Sequence, residues 1–297
     1  MSMLRFRRGK QPAESHSQDH AQPSSRITLD YGVAPRPRFG HDAPAHPELV
    51  ALLQANDATY RDVLASVIQF HDDFRRIPVE ASDDHREPNW INGWLPQLDA
   101  MVLYATLVLE NPSVYLEIGS GNSTKFARRA ITDHKLRTRI VSIDPSPRAE
   151  CDQLCDEIIR APLEDADLGV MSQLRPGDVV FLDGSHRVFT NSDTTVFFLE
   201  VLPRLPARAL VQIHDIFLPH DYPTVWNDRY YSEQYLLASW LLAGGGGYSV
   251  RLPAYFVSLT PELHNILEPL WSDPHFPEHD RHGHSFWMRR SEVSPAG

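Results

Sequence analysis

Three stretches of the sequence concentrate residue types able to do chemistry. The first is Leu116-Glu117-Ile118-Gly119-Ser120-Gly121-Asn122-Ser123-Thr124, an apolar run that meets two glycines and then hydroxyl and amide side chains. That order reads as a strand, a tight turn and the start of a helix. Gly119 permits the turn, and Gly121 removes a side chain where a ligand must approach the backbone. The helix beyond offers unpaired N–H groups and a positive dipole end, with Asn122, Ser123 or Thr124 as its cap. Asp144 closes the next β-rich run, Ser142-Ile143-Asp144, where a carboxylate can accept both hydroxyls of a ribose. A pyrophosphate-binding loop would carry a third glycine where Thr124 stands, and Glu117 would repel the pyrophosphate. The same carboxylate suits a nucleoside whose far end is a cationic amino acid. A nicotinamide cofactor is the alternative this composition disfavours.

The other two stretches are Asp178-Val179-Val180-Phe181-Leu182-Asp183-Gly184-Ser185-His186 and Leu210-Val211-Gln212-Ile213-His214-Asp215. In each, an apolar strand ends in a carboxylate and an imidazole. In an open parallel sheet the ligand crevice lies at such carboxyl ends. Asp183 and Asp215 are oxygen donors that suit magnesium. His214 is a poorer magnesium ligand and a better one for transition ions. Without a metal, a histidine titrating near neutral pH can accept a substrate proton, with His186 the first choice and His214 the second.

Other clusters admit plainer readings. His275, His279, His282 and His284 have no cysteine near them and are read as a solvated loop before the last strand rather than a zinc site. The segment Pro88-Asn89-Trp90-Ile91-Asn92-Gly93-Trp94 is either packing or a substrate entrance. The polar and aromatic residues from Pro219 to Tyr235 read as a substrate lid or as a self-packed loop.

These residues need elements to position them. Short apolar runs at 113–118, 139–143, 156–160, 178–182 and 208–213 predict strands. Helical stretches at 123–134, 147–154, 165–174 and 188–203 separate them, the pattern of a parallel sheet covered on both faces. Downstream, 231–243 predicts a helix, and 248–252, 255–259 and 285–289 predict strands. Upstream, Leu49, Leu52, Leu53, Tyr60, Val63, Leu64, Val67, Ile68, His71 and Phe74 recur at helical spacing in one helix ending near Arg76, and a second helix covers 98–109. The expected organisation is a disordered tail over 1–45, a helical cap over 46–110, a ligand-binding domain over 111–290 and a short tail over 291–297.

The motif series resembles the class I S-adenosylmethionine-dependent methyltransferases. Glu117-Ile118-Gly119-Ser120-Gly121 matches their first motif and Asp144 their ribose-binding acid. Ala161-Pro162-Leu163-Glu164-Asp165 falls at the adenine-contacting loop. Asp183 and the pair His214-Asp215 follow the fourth and fifth strands. The resemblance is nearest to small-molecule O-methyltransferases of the catechol and macrocin type. It implies an α/β, Rossmann-like sheet of seven strands with the last antiparallel, and Glu117, Gly119, Gly121, Asn122, Ser123, Asp144, Glu164 and Asp183 around the cofactor. It also implies a divalent ion, usually magnesium, on Asp183 and Asp215. Here His214 replaces the acidic or amide residue of metal-dependent relatives. A catalytically silent relative used as an interaction module is the non-enzymatic alternative.

Composition narrows the acceptor. The chain has 297 residues, 28 Lys+Arg against 39 Asp+Glu, and a net charge of −11. That disfavours nucleic acid and anionic membrane as partners, because phosphate contact needs clustered cations. A small molecule or glycan is the expected acceptor. Two cysteines, Cys151 and Cys155, give no disulfide framework, and with no apolar run long enough for a span the expected location is the cytoplasm. The long helix ahead of the core offers a face for a homodimer.

Overall fold

The apolar spacing from Leu49 onward does form helix, but in three pieces: α1 (Pro47–Gln54), α2 (Asp57–Ile68) and α3 (His71–Arg75). Leu53 and Tyr60 still lie about two turns apart across the first break, so the spacing cannot reveal it. Leu49, Leu53, Tyr60, Leu64, Val67 and Phe74 are all buried in the chain's own core, with Leu52, Val63 and Ile68 partly buried against it. The computed structural model describes residues 30–147 and 151–292. Residues 1–29, most of the expected N-terminal tail, and 293–297, most of the C-terminal one, lie outside the described residues. Residues 30–34 have no regular secondary structure and belong to a separate unit from 35 onward.

Residues 35–45 were expected to continue the tail, yet much of this stretch is bonded to the loop around residue 220. Phe39 N and Arg38 N donate to Asp221 Oδ2, Asp221 N donates to Phe39 O, and His46 N donates to Pro219 O. The low apolar content predicted no anchor there, because the bonds that hold it are made by backbone.

The second cap helix, α4 (Gln97–Glu110), is buried along almost its whole first three turns, as its continuous apolar run requires. Beyond it the sheet begins: β1 (Val114–Ile118), α5 (Asn122–His134), β2 (Arg139–Ile143), β3 (Glu157–Ile159), β4 (Val179–Leu182), α6 (Asp193–Val196), β5 (Leu210–Ile213), α7 (Glu233–Leu242), β6 (Tyr248–Pro253), α8 (Ala254–Leu259) and β7 (Phe286–Arg290). Strand order is β3-β2-β1-β4-β5-β7-β6, and only β7 runs antiparallel to its neighbours. The chain leaves β1 toward β2 and β3, then returns to lay β4 and β5 on the other side. The crevice between β1 and β4 is therefore the topological switch point where such sheets bind ligands.

Four elements differ from expectation. Residues 255–259, predicted as a strand, lie within α8: a short apolar run does not distinguish helix from strand, and Phe256 and Val257 are buried consecutively. The helix predicted over 165–174 is two 3-10 turns, Leu163–Asp165 and Leu168–Gln173. The helix predicted over 188–203 starts only at Asp193, capped by Ser192 Oγ, and widens into a π turn before Leu202–Arg204. Of the helix predicted over 147–154, residues 148–150 lie outside the described residues and Asp152–Leu154 is a 3-10 turn. No helix among the described residues is long and apolar enough to cross a membrane.

Candidate active site

A cavity of about 970 Å³ opens at the carboxyl ends of β1, β4 and β5. Its first wall is the glycine turn. Gly119 has φ +81°, and a Cβ there would stand 1.9 Å from the Asp183 carbonyl oxygen, so only glycine lets β1 and β4 cross this closely. Gly121 has open space where a Cβ would point and lines the cavity, as do Asn122 and Ser123. The reading of Gly121 as a point of close ligand approach fits that space.

Asp144 also lines the cavity. Its Oδ2 accepts from Ser120 N at 2.7 Å and Ser120 Oγ at 3.0 Å, and its Oδ1 from Ser146 N at 2.7 Å. The carboxylate is thereby locked in one orientation with lone pairs left for a ligand. Glu164 stands further along the same wall. Its Oε2 is buried without a hydrogen-bond partner, and burial raises its pKa.

Glu117 is placed differently from the expectation. It has no exposed surface and is absent from the cavity wall. Ser123 Oγ and Tyr115 Oη donate to its Oε1, and Thr124 Oγ1 donates to Oε2. Burial pushes its pKa up to about 8, against the pull of those hydroxyls. Glu117 thus ties the end of β1 to the start of α5 rather than facing a ligand directly. The sequence could not reveal this, because the hydroxyls that claim it lie on the turn it was expected to serve.

Opposite the glycine turn, Asp183, His186, His214 and Asp215 come together. His186 Nε2 is 3.2 Å from Asp183 Oδ1 and 3.6 Å from Asp215 Oδ2. His214 Nδ1 is 3.5 Å from Asp215 Oδ1 and 3.7 Å from Asp183 Oδ1. Burial works against the charged form of both imidazoles. The carboxylates prevail, and both pKa values lie well above the ordinary histidine value. Burial likewise raises the Asp183 carboxyl, but His214 and His186 hold it below the usual range. The upward direction of both imidazole pKa values works against the resting-base role expected for His186 and His214 while no cation shares the cluster.

Two residues of this centre were missed. Asp99, on α4, has no exposed surface. It accepts from His284 N at 2.7 Å and Ser285 N at 2.9 Å, and its Oδ2 is 3.4 Å from His214 Nε2. Glu233, on α7, is equally buried and its Oε2 is 2.9 Å from His186 Nδ1. A signal existed for Asp99: a single carboxylate within Leu98-Asp99-Ala100-Met101-Val102-Leu103 must be partnered if that helix is buried. His282 and His284, read as part of a solvated loop, line the cavity instead, and burial lowers the His282 pKa.

The remaining wall comes from two predicted segments. Trp90 is core, with no exposed surface, whereas Asn92 and Trp94 line the cavity. Across from them stand Trp226, Arg229 and Tyr231, with the Arg229 guanidinium 4.2 Å from the Trp226 ring centre.

Residues 116–216, from the end of β1 through β5 to the Asp215 loop, match the family model described as a methyltransferase domain. The chain carries a methyltransferase domain. With the 3-2-1-4-5-7-6 sheet, this makes it an S-adenosylmethionine-dependent methyltransferase and sets aside the nicotinamide alternative. No curated protein matches the sequence. Among solved structures, an S-adenosylhomocysteine-bound methyltransferase from Podospora anserina is 16% identical, covering 85% of this chain and 100% of that one, with a TM-score of 0.42. An O-methyltransferase from Bacillus cereus in complex with S-adenosylhomocysteine is 14% identical, covering 82% and 97%, with a TM-score of 0.40. CmcI with magnesium and S-adenosylmethionine is 16% identical, covering 65% and 70%, with a TM-score of 0.37.

Proposed function

We propose that the enzyme transfers a methyl group to a hydroxyl of a small molecule or glycan, with a divalent ion at Asp183 and Asp215. The observation that carries the reading is the division of one cavity into two chemistries. One half, Gly119 to Ser123 with Asp144 and Glu164, offers backbone, a locked carboxylate and a carboxyl with one buried, unbonded oxygen. The other half gathers Asp183, His186, His214 and Asp215 at the ends of β4 and β5.

The residues fit the nucleoside. Asp144 suits its ribose hydroxyls, Gly121 leaves room beside the turn, and Glu164, which burial favours in its protonated form, can donate to a base nitrogen. S-adenosylmethionine, when bound, supplies a methyl group already activated on a sulfonium. The protein's task is then positioning and removal of the hydroxyl proton. The oxygen donors of Asp183 and Asp215 fit a divalent ion, which when bound would lower the proton affinity of a hydroxyl beside it. His282 lines the same cavity and burial favours its neutral form, so we assign it the proton. Trp226, Tyr231 and Arg229 form a wall that excludes water and stacks against a ring. The acidic net charge supports a small or glycan acceptor over nucleic acid.

Calorimetry with S-adenosylhomocysteine tests the cofactor half. Wild type binds and Asp144→Ala binds at least tenfold more weakly, and equal affinity would remove Asp144 from the site. Transfer of labelled methyl into a metabolite extract, resolved by mass spectrometry, identifies the acceptor. A product labelled on carbon or nitrogen would overturn the hydroxyl assignment.

A further inference from the structure

The Asp183–His186–Asp215 cluster contains a feature that an oxygen-only magnesium site does not need. One ligand atom from each of these three residues lies within 4.8 Å of the others. His186 reaches the other two with Nε2, because its Nδ1 is 2.9 Å from Glu233 Oε2. In a neutral imidazole one nitrogen carries the proton and the other a lone pair. With Glu233 accepting from Nδ1–H, a neutral His186 turns its Nε2 lone pair toward two carboxylates. Lone pair and carboxylates repel one another unless a proton or a metal cation sits between them.

The backbone holds that arrangement against local preference. His186 has φ 59° and Asp215 φ 55°, the left-handed region that side chains other than glycine seldom adopt. Ser232 N and Glu233 N both donate to His186 O, at 2.8 and 3.1 Å, so the start of α7 clamps the histidine from behind. The rim of the cluster is also short of bonds. Neither nitrogen of His214 makes a hydrogen bond although the side chain is 3% exposed. Four carboxylates, from Asp99, Asp183, Asp215 and Glu233, meet two imidazoles here.

We propose that His186 is a third protein ligand, oriented by Glu233, which makes this a site for a first-row transition-metal dication rather than for Mg²⁺, with Mn²⁺ as its spectroscopic probe. Magnesium prefers an all-oxygen octahedron, while imidazole raises affinity for the ions later in the first row. A carboxylate behind a ligating histidine fixes its tautomer and increases its basicity, and losing it typically costs about 10–100-fold in metal affinity. Two carboxylates and one imidazole leave coordination positions open on the cavity side, where Asp183, His186 and Asp215 are all part of the wall. Those positions are available to oxygens of an acceptor. The inference rests on reading this cavity as the methyl-transfer site, but the metal itself is testable apart from turnover.

The test uses the full chain stripped with chelator. Mn²⁺ and Mg²⁺ binding are followed by electron paramagnetic resonance and calorimetry, and S-adenosylhomocysteine binding is measured on the same samples. Wild type is expected to bind one Mn²⁺ at least tenfold more tightly than Mg²⁺, with ¹⁴N modulation in its spin-echo spectrum. His186→Gln loses that modulation and at least tenfold in Mn²⁺ affinity. Glu233→Gln weakens Mn²⁺ while keeping the modulation. The proposal is overturned if wild type shows no ¹⁴N coupling, or if Mg²⁺ binds as well as Mn²⁺. The wild-type spectrum decides even if a variant fails to fold. Loss of S-adenosylhomocysteine binding by wild type would instead count against the cofactor reading and leave the metal result standing.

Discussion

A carboxylate with no exposed surface and three hydroxyl partners behaves differently from one that faces a ligand. Glu117 sits at the end of β1, and desolvation lifts its pKa from the ordinary 4.5 to about 8. The sign of its contribution to stability follows. Below pH 4.5 the side chain is protonated in both folded and unfolded chains and imposes no penalty. Between 4.5 and 8 the unfolded chain ionises while the folded one keeps its proton, so unfolding releases a proton and stability falls as pH rises. Above 8 the folded form ionises too and the slope ends. Glu117→Gln removes this dependence. Thermal melts across pH 5 to 9 should show wild type losing stability relative to the variant by about 1.4 kcal/mol per pH unit at most, levelling near pH 8. Parallel curves would mean that the carboxyl is ionised throughout. Its type and position in the motif were legible in the sequence. Its burial was not, because it depends on where Tyr115, Ser123 and Thr124 aim their hydroxyls.

At the scale of elements, the strand–turn–helix order around β1 and the ends of β4 and β5 were readable, because each is a short apolar run with one continuation. The segment from 35 to 46 was not. Asp221 accepts from Arg38 N, Phe39 N and Tyr235 Oη, and His41 Nε2 is 3.0 Å from its backbone oxygen. One side chain therefore fastens this segment to the loop that carries Trp226 and to α7. Two part-buried amides lose a charged acceptor in Asp221→Ala, each bond worth about 1.5–3 kcal/mol at most. Tryptic cleavage after Arg38 is expected to accelerate at least tenfold in that variant. The melting temperature should move far less, since the bonds lost are local to one strap. An unchanged cleavage rate would show that the remaining bonds suffice, chiefly His46 N to Pro219 O and the Gly40 turn.

For residues 35–292 as a whole, the cap and the sheet share one core. Buried residues form a single cluster that runs from Leu49 in α1 to Met288 in β7. The sequence showed a change of pattern near Pro112 and invited a boundary there, since local periodicity says nothing about which faces meet. Two of the contacts across that line show how closely the parts are joined. Asp99 carries the cap to the base of the site through His284, Ser285 and His214. Trp90 joins three parts of the chain: its ring centre is 5.9 Å from Phe74 on α3, 5.3 Å from Phe126 on α5 and 5.5 Å from Phe276 ahead of β7, and its Nε1 donates to Phe74 O at 3.2 Å. If cap and sheet were independent, loss of this ring would lower the melting of the cap alone and split the transition. The shared core argues for the opposite. Trp90→Ala removes the side chain from all three contacts, and such truncations cost about 3–5 kcal/mol. Calorimetry of the variant should show one endotherm, shifted down as a whole, with S-adenosylhomocysteine still bound below it because Trp90 is absent from the cavity wall. Two resolved endotherms would show that the cap can open without the methyltransferase sheet, and the cooperative unit would then have to be drawn at the sheet alone.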